Sequence, residues 1–403
     1  MTSAQAWTAA LMFLFSVVNY FDRTILSVAA PSMMKEFGLS PTSMGAVFSS
    51  FLVSYTILMT PGGRWSDRFG PRNMLAAMAI GSGLFTALMP LGATPGLGSL
   101  AGIIPGLMIF RLGFGIFTAP IYPAAGRMNA LTMPPAQRTR ILGIVNAGAG
   151  FGSAVSPILV TALILRVGWR WSFVIAGVAA MVLGALWLAT VPDHARDTRV
   201  SQKPEWGTLL NNPNMRWLIA GFCALDYYEY IFFYWLYYYL GEVRKLSTED
   251  TAFYTTLPFL AWVVMMPLGG WLTDRLVVRL GVKTGLRWVA VVSLLVSVAG
   301  LFAALNASDT NTLVALLSLA FGCVAVTDVV FWAGVISVAG PQAGTAGGLM
   351  NTGGNFGGSI APFVTPLIAS SYGWSAGLYV GGAIALIGVL AWLRIDASRA
   401  DVR

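Results

Sequence analysis

The chain has 403 residues, of which 57% are hydrophobic and only 10% are charged, and its net charge is +8. Soluble globular proteins carry about 25% charged residues, and the mean hydropathy here is +0.73. This composition argues against a soluble enzyme and predicts an all-α protein that crosses a membrane many times. A single histidine excludes a histidine-rich metal site, and both cysteines fall in apolar runs, so we expect free thiols.

Twelve apolar runs follow one another along the chain, each long enough to cross a bilayer as a helix. No basic region precedes the first run, so we expect no cleavable signal peptide. The predicted spans are residues 7–30, 42–63, 73–93, 100–126, 138–165, 170–191, 214–240, 251–273, 285–305, 312–338, 343–370 and 373–394.

The first span contains the sequence Asn-Tyr-Phe-Asp-Arg at residues 19–23. A charged side chain in the middle of a span costs about 3 kcal/mol even on insertion scales that give low values. Neighbouring residues point about 100° apart around a helix, so Asp22 and Arg23 are poor partners for each other. We interpret the pair as part of a transport site, and a structural ion pair between helices is the alternative.

The basic residues are distributed unevenly between the two sides of the predicted spans. With the amino terminus inside, seventeen Lys and Arg residues fall in inner loops and tails and five in outer loops. This asymmetry predicts a multi-pass protein of the cytoplasmic (inner) membrane with both termini in the cytoplasm. The positive charge therefore reflects topology, and we expect no nucleic-acid partner.

Internal repeats predict that the chain consists of two related halves. Residues 146–157 recur as 351–362 with five identities at an offset of 205, and residues 63–68 recur as 270–275 at an offset of 207. We expect six-helix bundles at 1–191 and 214–403, joined by a cytoplasmic linker at 192–213. Parallel repeats of this kind place a substrate site near the membrane midplane and open it by rocking.

Several motifs carry a resemblance to a known family. They are Gly-x-x-x-Asp-Arg-x-Gly-x-Arg at 63–72 with its second copy, Asn-Tyr-Phe-Asp-Arg at 19–23, Arg111 with Ala119-Pro120 and Pro123-Ala124, Gly-Trp-Arg-Trp-Ser-Phe at 168–173, and the glycine-rich run at 344–354. The chain resembles the major facilitator superfamily and, more narrowly, its anion:cation symporter family. That family includes bacterial sugar-acid transporters and vesicular glutamate and sialic acid carriers.

The resemblance implies a function and a set of binding residues. It implies a monomer without cofactors that lies in membrane lipid and moves a small organic anion by alternating access, coupled to H⁺. Arg23 matches the residue that holds the substrate carboxylate, a task suited to a guanidinium with its fixed fork of donors. A single Tyr or Asn in this set could equally join two helices. The other matching positions are Tyr20, Tyr55, Trp332, Asn351 and Asn355.

Other charged residues match gating positions. The loop motif places Asp67, Arg68, Asp274 and Arg275 at helix ends, where a carboxylate facing a helix amino terminus could act as a latch. Ordinary topology-setting charge is the alternative. Arg111 is predicted one turn inside the fourth span, as a gate or an ion-pair partner.

The coupling residues depart from the family pattern. The sugar-acid symporters carry a proton-binding glutamate seven residues after the fourth-span arginine, where this chain has Thr118, which cannot titrate. We expect Asp22, Asp226, Glu229 and Asp328 to replace it, with Asp226 and Glu229 on one helix face. One alternative is that Asp226 or Glu229 pairs with Arg23 or Arg111. Another is that the carrier is a uniporter, an exchanger or cation-linked.

Two further patterns leave alternatives open. The glycines repeated at i, i+4 spacing, Gly148 with Gly152 and Gly353 with Gly357, are small enough either for sliding contacts or for tight static packing. The aromatic run 232–239 is typical of a membrane-interface belt, with an outer gate as the second interpretation. A receptor or scaffold does not need charges in the middle of its spans, and no nucleotide loop or catalytic set favours an enzyme.

Overall fold

The structure is a computed structural model that describes residues 2–94, 102–193 and 206–398, and this part of the chain is built from helices. Short 3₁₀ turns connect some of them. The helices are α1 (Ser3–Phe37), α2 (Pro41–Phe69), α3 (Pro71–Leu88), α4 (Ile103–Thr118), α5 (Ile121–Thr132), α6 (Arg138–Thr190), α7 (Trp206–Asn211), α8 (Pro213–Tyr238), α9 (Thr248–Leu280), α10 (Val282–Leu305), α11 (Thr310–Ala339), α12 (Ala343–Tyr372) and α13 (Trp374–Arg394).

The predicted all-helical membrane architecture is confirmed. Within the described residues, nine helical stretches are long and apolar enough to cross a membrane, and α4 with α5 forms one of them. The stretch formed by α6 counts as two spans, because Gly168 has a φ of 79° and divides α6 into two helical segments. The remaining two are α8 and α12, which have 26 and 30 residues but a more polar sequence.

The described chain divides into two compact units. The first contains α1 to α6 together with Lys245–Thr256, and the second contains α8, most of α9, and α10 to α13. Each unit has its own apolar interior. In the first, for example, Phe15 packs edge-on against Trp187 with ring centroids 5.2 Å apart.

The repeated glycines occupy equivalent close contacts in the two units. A side chain at Gly152 of α6 would overlap the backbone oxygen of Val17 in α1, and one at Gly357 of α12 would overlap the backbone oxygen of Cys223 in α8. Such contacts need residues without a β-carbon, because the two helix backbones approach closely. Within each unit these glycines therefore pack tightly, as the static interpretation expected.

Arginines join helix ends in the same way in both units. The last carbonyl groups of a helix lack intrahelical partners, and a cation there also interacts favourably with the helix dipole. Arg72 donates to the oxygens of Val191 and Leu188 at 2.6 and 2.5 Å. Arg287 donates to those of Trp392 and Ile395 at 3.0 and 2.9 Å.

The Gly-Trp-Arg motif after the kink at Gly168 ties α6 to the end of α1. Arg170 donates to the two carboxylate oxygens of Glu36 at 3.0 and 2.5 Å, and the indole of Trp169 donates to Glu36 at 2.8 Å. A forked pair of this kind fixes orientation as well as distance. The motif thus has a structural role inside the first unit.

The interface-belt interpretation of residues 232–239 is wrong. Phe232, Phe233, Tyr234 and Trp235 are all buried, with at most 6% of any of them exposed. A belt requires rings at the lipid surface, whereas Phe232 stacks on Phe321 of α11 with centroids 4.6 Å apart. The rings therefore pack between helices in the interior of the second unit. The expectation of free thiols holds for Cys223 and Cys323.

Candidate functional site

Two polar stripes run along α1, and they face different neighbours. Tyr20 and Arg23 form one stripe, and Asn19 and Asp22 form the other, since residues three apart lie on the same side of a helix. The first stripe meets α2. The second meets α3 and α4. Adjacent residues of one motif are thereby separated into two chemically distinct environments.

Arg23 lies in a cage of three aromatic rings. Its guanidinium carbon is 5.2 Å from the ring centroid of Tyr20, 4.9 Å from that of Phe51 and 5.4 Å from that of Tyr55. Phe51 and Tyr55 are one turn apart on α2, so a single helix face provides two of the rings. Only 4% of Arg23 is exposed, and a cation over an aromatic face is worth about 2 kcal/mol when desolvated.

Tyr122 of α5 extends the cage, and the sequence analysis missed it. Its hydroxyl donates to the hydroxyl of Tyr20 at 3.0 Å. The available signal was its place between Pro120 and Pro123, where α4 ends and α5 begins. Phe51 was missed for another reason, because an apolar ring in an apolar span has no distinguishing pattern.

Arg111 approaches the same cage from α4. It lies eight residues after the first residue of α4, which corrects the prediction of one turn inside the span. Its guanidinium carbon is 5.1 Å from the Phe51 centroid and 5.0 Å from that of Phe114, and it donates to the backbone oxygen of Arg23 at 3.5 Å. Arg111 is thus an interior residue that shares a ring with Arg23.

Asp22 is buried beside this pair, with 1% of it exposed. One carboxylate oxygen accepts a long hydrogen bond of 3.4 Å from Thr86 of α3. The other has no hydrogen-bond partner among the described residues. Arg111 is close enough to attract the carboxylate. A buried carboxylate with incomplete hydrogen bonding is costly, so this position is suited to gaining and losing a proton.

Thr118 stands where the sugar-acid symporters that the chain resembles carry a glutamate, and it faces the Asn19–Asp22 stripe. The amide of Asn19 donates to its hydroxyl at 3.4 Å and lies 3.9 Å from the sulfur of Met78. Both Thr118 and Asn19 are at least 97% buried. Neither side chain titrates, so Thr118 and Asn19 do not provide a second carboxylate beside Asp22.

The second unit brings two predicted binding residues together through Tyr230. The hydroxyl of Tyr230 on α8 donates to Asn355 on α12 at 3.0 Å, and Asn355 donates to the side chain of Asn351 at 3.2 Å. Tyr230 in turn stacks on Tyr234 with centroids 5.9 Å apart. This chain of amide and phenol groups suits a ligand that carries hydroxyls.

The register between α8 and α11 is fixed by their ring contacts. Phe222 contacts Phe331 at 5.4 Å, and Phe232 contacts Phe321 at 4.6 Å, so ten residues forward along α8 correspond to ten residues back along α11. The two helices are therefore antiparallel. Phe222 also contacts Trp332 at 6.2 Å. These two residues are therefore at the same height along the helix axes, and the positions of nearby carboxylates can be compared with them.

Asp226 and Asp328 lie at the same level of this helix pair. Asp226 follows Phe222 by one turn on α8, and Asp328 precedes Trp332 by one turn on α11, so both are displaced in the same direction. Asp226 lies against Gly354 of α12, where a β-carbon would be 2.5 Å from its carboxylate oxygen. Asp328 is therefore level with Asp226 on a different helix, while the partnership of Asp226 with Glu229 remains a prediction.

Of the predicted gating residues, Asp67 and Arg68 lie at the end of α2. Asp274 and Arg275 lie six and five residues before α9 ends at Leu280, so the prediction that they lie at a helix end is wrong. The side chain of Asp67 lies outside the described part of the structure. Arg68 lies 5.4 Å from the ring centroid of Phe69, and Arg275 lies 4.0 Å from that of Trp271. Asp274 is exposed. The proposed latch with a neighbouring helix remains a prediction for all four residues.

The comparisons with known proteins identify the family. The model of the Major Facilitator Superfamily matches residues 12–282 and 276–402. The chain belongs to the major facilitator superfamily. It is a membrane transporter of the secondary type and not an enzyme. The expected relation to organic-anion carriers is also confirmed, because the curated relatives include transporters of sugar acids and other anions.

Two relatives and one solved structure illustrate the similarity. The probable sulfoacetate transporter SauU of Cupriavidus necator is 32% identical over 96% of this chain and 92% of the relative. The hexuronate transporter of Bacillus subtilis is 29% identical over 95% and 92%. A bacterial homologue of the human lysosomal transporter Spinster superposes with a TM-score of 0.84, at 16% identity, over 100% of this chain and 99% of that one. At that identity the structural match establishes the fold alone.

Proposed function

We propose that this protein carries a small organic anion, such as a sugar acid or another carboxylate, across the cytoplasmic membrane, and that protons drive the transport. The single observation that carries the proposal is the aromatic cage around Arg23. The three rings surround the guanidinium carbon at 4.9 to 5.4 Å, and an aromatic face bears no net charge of its own. A carboxylate supplies both the charge and the paired acceptors that a guanidinium fork matches.

The hydrogen-bonding groups of the second unit support a polyhydroxylated anion over an apolar one. Asn351, Asn355 and Tyr230 offer amide and phenol groups, and Trp332 adds an aromatic face that is 37% exposed. Sites built to bind hydroxyls discriminate strongly against ligands that lack them, because the buried polar groups are then left unpaired. Several curated relatives are named as transporters of hexuronate and galactonate, which agrees with this substrate class.

A ligand screen tests the substrate class. The purified protein is heated in the presence of sugar acids, dicarboxylates, amino acids, sulfonates and neutral sugars, at two pH values. We expect a rise in Tm with at least one carboxylate or sulfonate and none with the neutral sugars, since a bound ligand stabilises the folded state by mass action. A neutral or cationic ligand as the best stabiliser would contradict the proposal.

For coupling, we propose that a proton is carried by buried carboxylates in place of the absent fourth-span glutamate. Asp22 in the first unit and the group of Asp226, Glu229 and Asp328 in the second are the candidates. Two carboxylates close together in a dry environment hold one proton more readily than they both ionise. The second candidate function, a uniporter or exchanger, is favoured by Thr118, whose contact with Asn19 provides no titratable group.

We further propose that both termini face the cytoplasm and that residues 192–213 form the linker between bundles 1–191 and 214–403. The excess of basic residues on that side supports this orientation. In a cysteine-free background, Asp67→Cys and Asp274→Cys should both react with an impermeant maleimide from the cytoplasmic side alone. Reaction of either from the outside would refute the orientation.

A further inference from the structure

A long apolar groove lies on the second unit, and the residues proposed to bind the substrate are not part of its lining. Its volume is about 450 Å³, and it is formed by α9, α10 and α11. Leu272, Leu276 and Leu280 line it on α9, and Trp288 and Val292 line it on α10. The exposed fraction of Leu272, Leu280, Trp288 and Val292 lies between 42% and 57%, so the groove opens to the surroundings of the protein.

The lining of this groove excludes a polar solute. The hydroxyl of Ser293, one of its few polar groups, is already engaged with Thr327 at 2.8 Å. On α9 the lining runs from Met265 to Leu280, which is about 22 Å at 1.5 Å per residue. The hydrocarbon of one leaflet is about 15 Å deep. The groove is therefore longer than one leaflet is deep. A hydrocarbon chain that enters at the Leu280 end can lie in the groove through the full depth of the leaflet.

The Leu280 end carries an excess of positive charge. Arg279 lies three residues after Leu276 and therefore on the same face of α9, and its side chain is exposed. Lys283 is paired with Asp396 at 2.6 Å, but Arg287 keeps its charge because its hydrogen bonds go to backbone carbonyls. Asp274 lies on the opposite face of α9 from Leu272, so it does not offset this charge.

We propose that the groove binds an anionic phospholipid, with one acyl chain along Leu272, Leu276 and Val292 and its phosphate at Arg279. Hydrocarbon fills an apolar channel that opens to the bilayer, and the basic end selects a headgroup with net negative charge. Trp288 lines the groove between that end and Val292. This proposal is independent of the transported substrate.

Fluorescence quenching tests the proposal on the full-length protein in phosphatidylcholine nanodiscs. Phosphatidylglycerol or phosphatidylcholine with brominated chains is titrated in, and the difference between the wild type and Trp288→Phe reports quenching at Trp288. We expect brominated phosphatidylglycerol to reach half-maximal quenching at a mole fraction about fivefold lower than brominated phosphatidylcholine does. A preference of this size corresponds to the attraction of one basic residue for an anionic headgroup. Equal quenching by the two lipids would overturn the proposal.

Matched variants separate a specific site from general attraction. Arg279→Gln should abolish the preference for phosphatidylglycerol, whereas Arg140→Gln, which removes an exposed arginine from the first unit, should retain it. Val292→Phe should fill the groove and reduce quenching by both lipids. Leu295→Phe should not, because Leu295 is 47% exposed on the same helix and lies outside the groove lining. If either control behaved like its partner, the groove would not be the binding site.

Discussion

Arg23 and Arg111 approach the same aromatic ring, with their guanidinium carbons 4.9 and 5.1 Å from the centroid of Phe51. Two cations near one ring repel each other unless negative charge is close. Asp22 supplies part of that charge, because Arg111 attracts its carboxylate. We propose that an anionic ligand at Arg23 adds further negative charge here, so that its binding and the protonation of Asp22 influence each other.

Replacing the guanidinium while keeping its charge tests the role of Arg23. We expect Arg23→Lys to weaken binding of the best ligand from the screen by about tenfold to a hundredfold, the value of one charge-assisted hydrogen bond. Calorimetric titration of the purified variant measures the change. Arg140→Lys is the control, since its side chain is exposed. Near-native affinity in Arg23→Lys would rule out forked recognition of a carboxylate.

The shared ring is expected to be a positioning residue for the substrate. Phe51→Leu removes one ring contact from each arginine and should weaken ligand binding by about fivefold to thirtyfold, given about 1 to 2 kcal/mol per desolvated cation–π contact. Phe114→Leu is the matched control. Phe114 contacts Arg111 at 5.0 Å, but it is not one of the three rings that form the cage around Arg23. Equal losses in the two variants would indicate a general packing defect and not a role of Phe51 at Arg23.

The carboxylates of the second unit are expected to couple transport to protons. Glu229→Gln and Asp226→Asn mimic the protonated state permanently, so they should abolish accumulation driven by a pH gradient. Exchange of internal for external substrate should survive, because exchange needs no net release of protons. Paired liposome assays, one with an imposed pH gradient and one for counterflow, measure both activities.

Asp328→Asn extends the coupling test across the helix pair. Because Asp328 is level with Asp226, we expect the same separation of accumulation from exchange in this variant. If all three variants still accumulate substrate against its gradient, the carboxylates of the second unit are structural. Asp22 would then be the remaining candidate, or transport would be uncoupled from protons.

The glycine contacts should determine the stability of each unit. Gly152→Ala and Gly357→Ala place a methyl group against the backbone oxygens of Val17 and Cys223, and overpacking of this kind costs about 1 to 3 kcal/mol. We expect a lower Tm in detergent for both. Gly143→Ala is the control in α6, since a β-carbon there meets no atom within 4 Å. An unchanged Tm in Gly152→Ala would show that α1 and α6 can separate at little cost.

The ion pair at the end of α13 should make stability depend on pH in the acid range. The hydrogen bond from Lys283, aided by Ser398, lowers the pKa of Asp396 to about 2 from 3.8. A depressed folded-state pKa contributes stability above the unfolded value, and this contribution is lost as the pH falls from about 4 towards 2. Asp396→Asn should therefore lower Tm at pH 7 and match the wild type near pH 2. A constant difference across that range would exclude the ion pair as its cause.

The amino-acid sequence by itself determined the membrane class, the twelve spans and the family, because apolar length and repeated motifs are local properties of the chain. It also marked Arg23 and Asp22, since charge inside an apolar run is costly wherever the helix packs. It did not indicate Phe51, Tyr122 or Thr86, which are ordinary residues for a membrane helix.

Only the tertiary structure decided which neighbours these charges meet. On α1, Arg23 faces α2, whereas the adjacent Asp22 faces α3 and α4. Which neighbour each residue faces depends on the rotation of α1 about its axis, which no local sequence pattern encodes. The level of Asp226 with Asp328 likewise follows from ring contacts a hundred residues apart. The burial of residues 232–237 also depended on tertiary contacts. An aromatic run is compatible with a lipid interface or a packed interior, and only the neighbouring helices decide between them.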